Sequence, residues 1–364
     1  MQLMEFDYSL LIKVTHTIIE IFLLTSIGFL CAKMKWLNND FSHMVNEYLL
    51  SNILLPATIL KYVSQTDFKH LISFDSLVVI PIFIILHIIV GFFLGYIAIK
   101  LFGSPINQTN IFLLSCTFGN HGSLPLSILL TLLIQMDLEQ EQINLALSYW
   151  SVYYAIRASI FWTVGLYISF RDPEPNENNN LVSNTYYPLI KNLLISLINP
   201  VIIALILGVI LSAGENLTND LLLNHDAIFR FIWNAIVILD EMSMPLLLIT
   251  LGISLTNQSI ENSWNWKQIS SVVAIRLLLC PIIGLLMIVL TRSYIPQLIE
   301  PSNLLLQLNL FLQMITPPVI TMIIVVQWQK LPDSSISSMM FWSYILCLPF
   351  ILLFVFIYLN YFYH

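Results

Sequence analysis

The stretch Gly119-Asn120-His121-Gly122-Ser123-Leu124-Pro125 lies inside an apolar run that is long enough to cross a bilayer. Glycine costs about 1 kcal/mol relative to alanine in a helix interior, and proline removes a backbone hydrogen bond. Because unpaired backbone groups are costly in hydrocarbon, a broken membrane helix is tolerated only inside protein or beside a water-filled cavity. The stretch therefore predicts an interrupted membrane helix that forms one half of a substrate site. Thr316-Pro317-Pro318, far along the chain, predicts the other half.

The composition is that of a protein with many membrane spans. Of the 364 residues, 58% are hydrophobic and 10% are charged, whereas a soluble domain is about 25% charged. The net charge of −7 is spread thinly and leaves no basic patch for nucleic acid. The four cysteines are widely spaced, so we expect neither a metal nor a cofactor. Zinc-protease, nucleotide-binding and nucleophile–base motifs do not occur, which predicts neither an enzyme nor direct use of ATP.

Apolar windows of about 20 residues predict an all-α protein with ten membrane helices. The predicted spans are 11–31, 43–60, 76–99, 109–134, 145–170, 188–212, 229–255, 269–291, 303–327 and 338–361. The hydrophilic residues 171–187 predict a short linker between a first repeat, residues 1–170, and a second repeat, residues 188–364. Five spans in each half place the halves in opposite orientations, so the pattern predicts an inverted repeat.

The prolines and the basic residues add to this prediction. Prolines fall in spans two, three and four of the first half and in spans seven, eight and nine of the second: Pro56, Pro81, Pro125, Pro245, Pro281 and Pro318. A slight excess of Lys and Arg in alternate loops places both termini outside the cell or in a lumen.

Several motifs, in this order and spacing, resemble those of the auxin efflux carrier family. They are the segments 52–57, 119–126, 199–208, 244–252 and 316–318. Residues 149–165 and 341–344 are more similar to the PIN-like branch of plants and fungi than to the PIN proteins themselves. The resemblance implies a fold like that of bile-acid symporters, with a scaffold domain, a transport domain and broken fourth and ninth helices. It also implies a homodimer in the endoplasmic reticulum or the plasma membrane.

In the family that this chain resembles, the broken helices cross near the membrane centre and bind an organic anion such as an indole carboxylate. Asn120 and Pro125 match the fourth-helix crossover, and Pro317 and Pro318 match the ninth. Half-helices also point positive dipole ends into the membrane, which suits an anion. We therefore expect substrate contacts from Gly119, Asn120, His121, Gly122, Pro125, Gln313, Thr316, Pro317 and Pro318. The alternative is that the two glycines permit close packing and that Pro125 only kinks a helix.

Three charged residues inside predicted spans are candidates for ion coupling. Asp240 and Glu241 are costly in a membrane, so we expect them to face protein or water, and one of them to accept a proton or to pair with a cation such as Arg157 or Arg276. The alternative is that the seventh span starts later and that both acids lie at its aqueous end. Arg157 attracts the anion or pairs with an acid. His121 either titrates or is a neutral donor to a backbone carbonyl.

The sequence thus predicts a secondary carrier that moves a small amphipathic organic anion across the lipid bilayer by alternating access. The alternative function is a membrane sensor or scaffold that keeps the carrier fold without transport. A substrate-flux assay separates the two.

Overall fold

The computed structural model describes residues 8–105, 108–169, 200–214, 218–224, 226–254, 256, 264–319, 322, 325–326 and 334–362. The predicted linker, residues 171–187, and the first part of the sixth predicted span lie outside these residues. The described residues are almost entirely helical, and their β-pairing consists of an isolated bridge between Gly119 and Pro318. The prediction of an all-α chain is confirmed.

A helix lies in the described part of each predicted span, and the fourth and ninth spans also contain the non-helical residues 118–122 and 313–319. The helices are α1 (Tyr8–Lys33), α2 (Asn39–Met44, Val45–Leu54 and Leu55–Ser64), α3 (Asp75–Val79 and Ile80–Phe102), α4 (Thr109–Thr117), α5 (Ser123–Gln135), α6 (Gln140–Ile160, Phe161–Gly165 and Leu166–Ser169), α7 (Pro200–Ala213), α8 (Arg230–Ser254), α9 (Trp266–Ala274, Ile275–Leu279 and Cys280–Tyr294), α10 (Leu304–Leu312) and α11 (Ser334–Phe362). Within the described ranges, α3, α8, α9 and α11 contain apolar stretches long enough to cross a membrane. The ten-span inverted repeat stays a prediction.

Proline accounts for the irregular turns of α2, α3 and α9. Each contains a π-helical segment that ends two residues before a proline: Val45–Leu54 before Pro56, Asp75–Val79 before Pro81 and Ile275–Leu279 before Pro281. A proline has no N–H and its ring clashes with the carbonyl of the preceding turn. The wider π turn accommodates that carbonyl without ending the helix.

The helices pack in two groups. The four-helix group consists of α1, α2, α7 and α8, in which α1 packs along α8 and α2 packs against α7 and α8. Glycine permits the close crossing of α1 and α8, because a Cβ at Gly28 would overlap the Ile249 carbonyl and one at Gly252 would overlap the Thr25 carbonyl. The crossover group consists of α3, α4, α5, α6, α9, α10 and α11. The groups meet where α1 contacts α5 and α11, where α8 contacts α5, and where α2 and α7 contact α6.

Candidate functional site

Two interruptions of helical structure meet inside the crossover group. The first is residues 118–122, between α4 and α5, and the second is residues 313–319, after α10. We call these two segments the crossover. All but the last of their residues are buried, although neither segment is helical.

The two segments of the crossover satisfy each other's backbone groups. The amide of Asn120 donates to the carbonyl of Pro317 at 2.7 Å, and the amide of Val319 donates to the carbonyl of Phe118 at 3.1 Å. Since a buried backbone group without a partner is costly, this antiparallel pairing is what allows both helices to stop inside the protein. The predicted meeting of the two interrupted helices is thus present in the described structure.

Glycine is required at two positions of the crossover because other groups approach the backbone closely. A Cβ at Gly119 would fall on the guanidinium of Arg276 and on the hydroxyl of Thr316. A Cβ at Gly122 would lie 2.8 Å from the ring of Tyr154. Close packing by these glycines was the alternative to a substrate role, and the structure shows that they do pack closely.

Pro125 does not kink a helix. It lies in the first turn of α5, which begins at Ser123. The first N–H groups of a helix have no intrahelical partner, so a proline there loses no hydrogen bond. Pro125 therefore favours the start of α5 immediately after the crossover.

His121 connects the two segments as a neutral side chain. Its Nε2 accepts a hydrogen bond from the backbone amide of Gly119 at 3.2 Å, so the ring proton is on Nδ1. Nδ1 then donates to Oε1 of Gln313 at 3.1 Å. Trp150 fixes the same residue from α6, since its indole N–H donates to the His121 carbonyl at 3.2 Å. In this structure His121 is a neutral hydrogen-bond donor, which was one of the two alternatives in the sequence analysis. Its acceptor, however, is the side chain of Gln313 and not a backbone carbonyl.

Asn120 is held by a partner that the sequence did not indicate. Its Nδ2 donates to the hydroxyl of Tyr344 at 3.0 Å, and that hydroxyl donates to the carbonyl of Pro318 at 2.9 Å. Tyr344 lies on α11, so this helix and both segments of the crossover meet at the side-chain amide of Asn120. The aromatic segment 341–344 was noted in the sequence only for its family likeness.

Two buried arginines bind the ends of the crossover. Arg157, on α6, donates to the carbonyl of Thr117 at 2.8 Å, and its guanidinium lies 4.6 Å from the ring centroid of Phe118. Arg276, on α9, donates to the carbonyl of Thr316 at 3.0 Å and to the Thr316 hydroxyl at 2.8 Å. Both side chains are only 2% exposed. Arg157 was a sequence candidate, whereas Arg276 was considered only as a partner for an acid.

The crossover carries excess positive charge. Among the described residues, no carboxylate lies within ion-pair distance of either guanidinium. The carboxyl ends of α4 and α10 each contribute about half a negative charge and the amino end of α5 about half a positive charge, so the two arginines leave the crossover with a net positive charge. Because this charge is buried, an anion that reaches the crossover would relieve its desolvation cost.

Asp240 pairs with a cation, which is Lys61 and neither of the two arginines that the sequence analysis gave as examples. Asp240 pairs with neither Arg157 nor Arg276, because its carboxylate accepts from the ammonium of Lys61 at 2.6 Å. Asp240 is on α8, in the four-helix group, and both arginines belong to the crossover group. Glu241, the next residue, is exposed. The prediction that these acids face protein or water agrees with the structure, since both line a cavity.

The neutral tautomer of His121 leads to a prediction about pH. If His121→Gln moves the substrate, we expect its flux to vary with pH between about 5 and 8 as the wild-type flux does, because the imidazole that would titrate in that range is already committed to two hydrogen bonds. Flux into vesicles over a pH series measures this. A wild-type pH dependence that disappears in the variant would show that His121 titrates during transport.

An apolar helical chain whose two interrupted helices pair inside the protein has the features of a secondary transporter. The family model described as "Membrane transport protein" matches residues 13–355, and the chain belongs to this family, the auxin efflux carriers. The family is one of transporters and not of enzymes, and the chain is an integral membrane protein.

Three relatives from Arabidopsis thaliana are similar over most of their length. PIN-LIKES 1 is 28% identical over 363 residues, which cover 90% of this chain and 75% of the relative. PIN-LIKES 5 is 22% identical over 387 residues, which cover 94% of this chain and 96% of the relative. PIN-LIKES 3 is 23% identical over 386 residues, which cover 92% of this chain and 94% of the relative. The resemblance to the PIN-like branch is thereby confirmed.

Proposed function

We propose that the protein is a secondary carrier that moves a small amphipathic organic anion, such as an indole carboxylate, and that the anion binds beside the crossover. The observation that carries this proposal is the excess positive charge at the paired interruptions, where Arg157 and Arg276 lie without a carboxylate partner among the described residues. A carboxylate is the chemical group that two guanidinium donors and the amino end of α5 favour together.

The proposed site supplies donors without a buried lysine. Asn120 and His121 come from the first segment, and Gln313 and Thr316 come from the second. In the described conformation Asn120 donates to Tyr344, His121 donates to Gln313, and the Thr316 hydroxyl accepts from Arg276, so substrate binding exchanges some of these bonds for bonds to the anion. Such an exchange favours a weak and reversible site, which suits a carrier that must also release its substrate.

The proposed movement is a displacement of the crossover group against the four-helix group. Three hydrogen bonds between described residues join α2 to α8 within the four-helix group: Ser42 to the carbonyl of Thr250 at 3.1 Å, Thr58 to Ser243 at 3.0 Å and Lys61 to Asp240 at 2.6 Å. The crossover bonds lie within the other group. Because each group is bonded internally, each can move as a unit. The hydrogen bonds from Gln135 to Glu20 and from Thr66 to the carbonyl of Asn144, both 3.2 Å, join the two groups and would break in this displacement. Ion coupling through Asp240, Glu241 or Arg157, assembly as a homodimer, and residence in the endoplasmic reticulum or plasma membrane stay predictions.

Asn120→Ala tests the proposed site. We expect flux of a radiolabelled indole carboxylate into vesicles to fall about tenfold to a hundredfold, because a hydrogen bond to a charged group contributes about 1.5–3 kcal/mol. Asn110→Ala is the matched control, because Asn110, on α4, donates to the carbonyl of Ile168 away from the crossover. The flux of this variant should stay near the wild-type value. Unchanged flux in Asn120→Ala would remove this residue from the site, and absent flux in the wild type would favour a sensor or scaffold.

A further inference from the structure

A buried histidine on α3, His87, is bonded to the face of α6 that packs against the crossover. Its Nδ1 lies 2.8 Å from the hydroxyl oxygen of Tyr153, which is a hydrogen-bond distance. The His87 side chain is 3% exposed and the Tyr153 side chain is 0% exposed. Because a buried hydroxyl without a partner is costly, this bond fixes the direction in which the Tyr153 side chain points.

Tyr153 lies between His87 and the crossover. The centroid of its ring is 5.9 Å from that of His87 and 5.6 Å from that of His121. The planes of the Tyr153 and His121 rings are inclined at 55°. Aromatic rings at this separation are in contact and favour a particular mutual orientation. A rotation of the Tyr153 side chain would therefore displace the imidazole of His121.

The imidazole of His121 satisfies the crossover only within a narrow range of positions. Its Nε2 accepts from the amide of Gly119 at 3.2 Å, and its Nδ1 donates to Oε1 of Gln313 at 3.1 Å. An N–H···O hydrogen bond is about 2.7–3.2 Å long, so the second bond is already near the upper limit. Since the two ring nitrogens point in different directions, a small tilt of the ring would lengthen one bond beyond that limit.

Helix α3 is a firm support for His87. One turn before His87, the ring of Phe83 meets the imidazole edge to face, with the centroids 6.0 Å apart. One turn after His87, a Cβ at Gly91 would lie 2.8 Å from the Cα of Thr117, the last residue of α4. Helix α3 is thus packed tightly against the point where the first segment of the crossover begins, so the position of His87 is fixed relative to that segment.

We propose that His87 and Tyr153 are positioning residues of the carrier. The hydrogen bond between them holds the ring of Tyr153 against His121, and the resulting orientation of His121 sets the affinity of the crossover for the anion. His87 and Tyr153 act through His121 and do not touch the anion. This inference rests on the proposed function, because it concerns the affinity of the same site.

Three variants separate positioning from a contribution to stability alone. Tyr153→Phe leaves Nδ1 of His87 buried without a partner, and His87→Leu leaves the Tyr153 hydroxyl in the same state. Each single variant should therefore lower the apparent melting temperature in detergent. The double variant removes both polar groups and should melt close to the wild type, because replacing both partners by apolar groups is nearly neutral.

The half-saturating concentration for uptake of radiolabelled indole-3-acetate into vesicles measures the affinity. We expect it to rise about threefold to tenfold in both single variants and by the same factor in the double variant, with a maximal rate within about twofold of the wild type. His87→Asn should restore the wild-type value, since asparagine places a hydrogen-bonding atom where Nδ1 of histidine lies. Recovery of affinity together with melting temperature in the double variant would reduce the pair to a structural role.

Tyr149→Phe is the matched control. Tyr149 lies one turn before Tyr153 on α6, and its buried hydroxyl accepts from Nδ2 of Asn303 at 3.2 Å. The same Nδ2 also donates to Asp75, so the substitution leaves Asn303 with a partner. The half-saturating concentration should stay within about twofold of the wild type. A rise as large as that of Tyr153→Phe would show that the loss of any buried hydroxyl on α6 weakens binding, and the proposal would fail.

A second measurement needs no transport and separates this inference from the proposed function. Nuclear magnetic resonance of isotope-labelled histidine reports which ring nitrogen carries the proton, and the His121 signals are those lost in His121→Gln. We expect these signals to shift or broaden in the double variant. Unchanged His121 signals would overturn the positioning role even if wild-type flux is saturable. Shifted signals in a protein that moves no anion would support the positioning of His121 while the transport proposal fails.

Discussion

Replacing Arg276 with glutamine is expected to lower anion flux at least about a hundredfold. The change removes a permanent positive charge and the two hydrogen bonds to Thr316, which lies in the second segment of the crossover. A hydrogen bond to a charged group contributes about 1.5–3 kcal/mol, and each 1.4 kcal/mol is about tenfold in affinity. Arg276→Lys keeps the charge but not the planar fork of donors, so its flux should lie between that of the wild type and that of Arg276→Gln. Uptake of a radiolabelled indole carboxylate into vesicles measures all three.

The control for this prediction is Arg292→Gln. Arg292 is on the same helix, α9, but it lies in the last turn, where its guanidinium is 5.2 Å from the ring centroid of Phe362. The substitution removes the same charge outside the crossover, so flux should stay within about twofold of the wild-type value. If Arg276→Gln transports as well as Arg292→Gln, the positive charge at the crossover is not what holds the anion.

Gly119→Ala is expected to have the second large effect, which comes from sterics and not from charge. The added methyl group would occupy the space of the Arg276 guanidinium and the Thr316 hydroxyl. The guanidinium is buried and bonded, so it can move only by breaking bonds that contribute at least about 2 kcal/mol together. We expect a lower apparent melting temperature in detergent and loss of most of the flux.

Gly214→Ala is the matched control, because a Cβ there meets its nearest neighbour, the Ile210 carbonyl, at an ordinary 3.6 Å. This variant should melt and transport like the wild type. Wild-type stability in Gly119→Ala would mean that the crossover can open to admit a side chain, contrary to the tight packing described above.

Local chemistry made the interruptions of the two helices predictable. Gly119 and Gly122 weaken a helix from within, and Pro125 is favoured in the first turn of a helix, so an interruption between α4 and α5 followed from residue types. The predicted span 109–134 agrees with the combined extent of Thr109–Thr117 and Ser123–Gln135. Thr316-Pro317-Pro318 marked the second interruption in the same way.

The partners of the polar side chains could not be predicted. Asp240 binds Lys61, 179 positions away, and Asn120 binds Tyr344, 224 positions away. Which of several cations or hydroxyls reaches a given acid or amide depends on which helix faces are turned together. One sequence contains no record of that arrangement.

The sequence by itself determined that the chain is helical and apolar, that two of its helices are interrupted, and that buried charges have to be accommodated, because these properties follow from the cost of each residue in a helix or a membrane. Only the tertiary structure decided that the two interruptions pair through Asn120 and Pro317, that Arg157 and Arg276 bind beside them, and that Lys61 faces a cavity. The physical reason is that hydrogen bonds and charge pairs act over a few ångströms, so they depend on how distant helices pack.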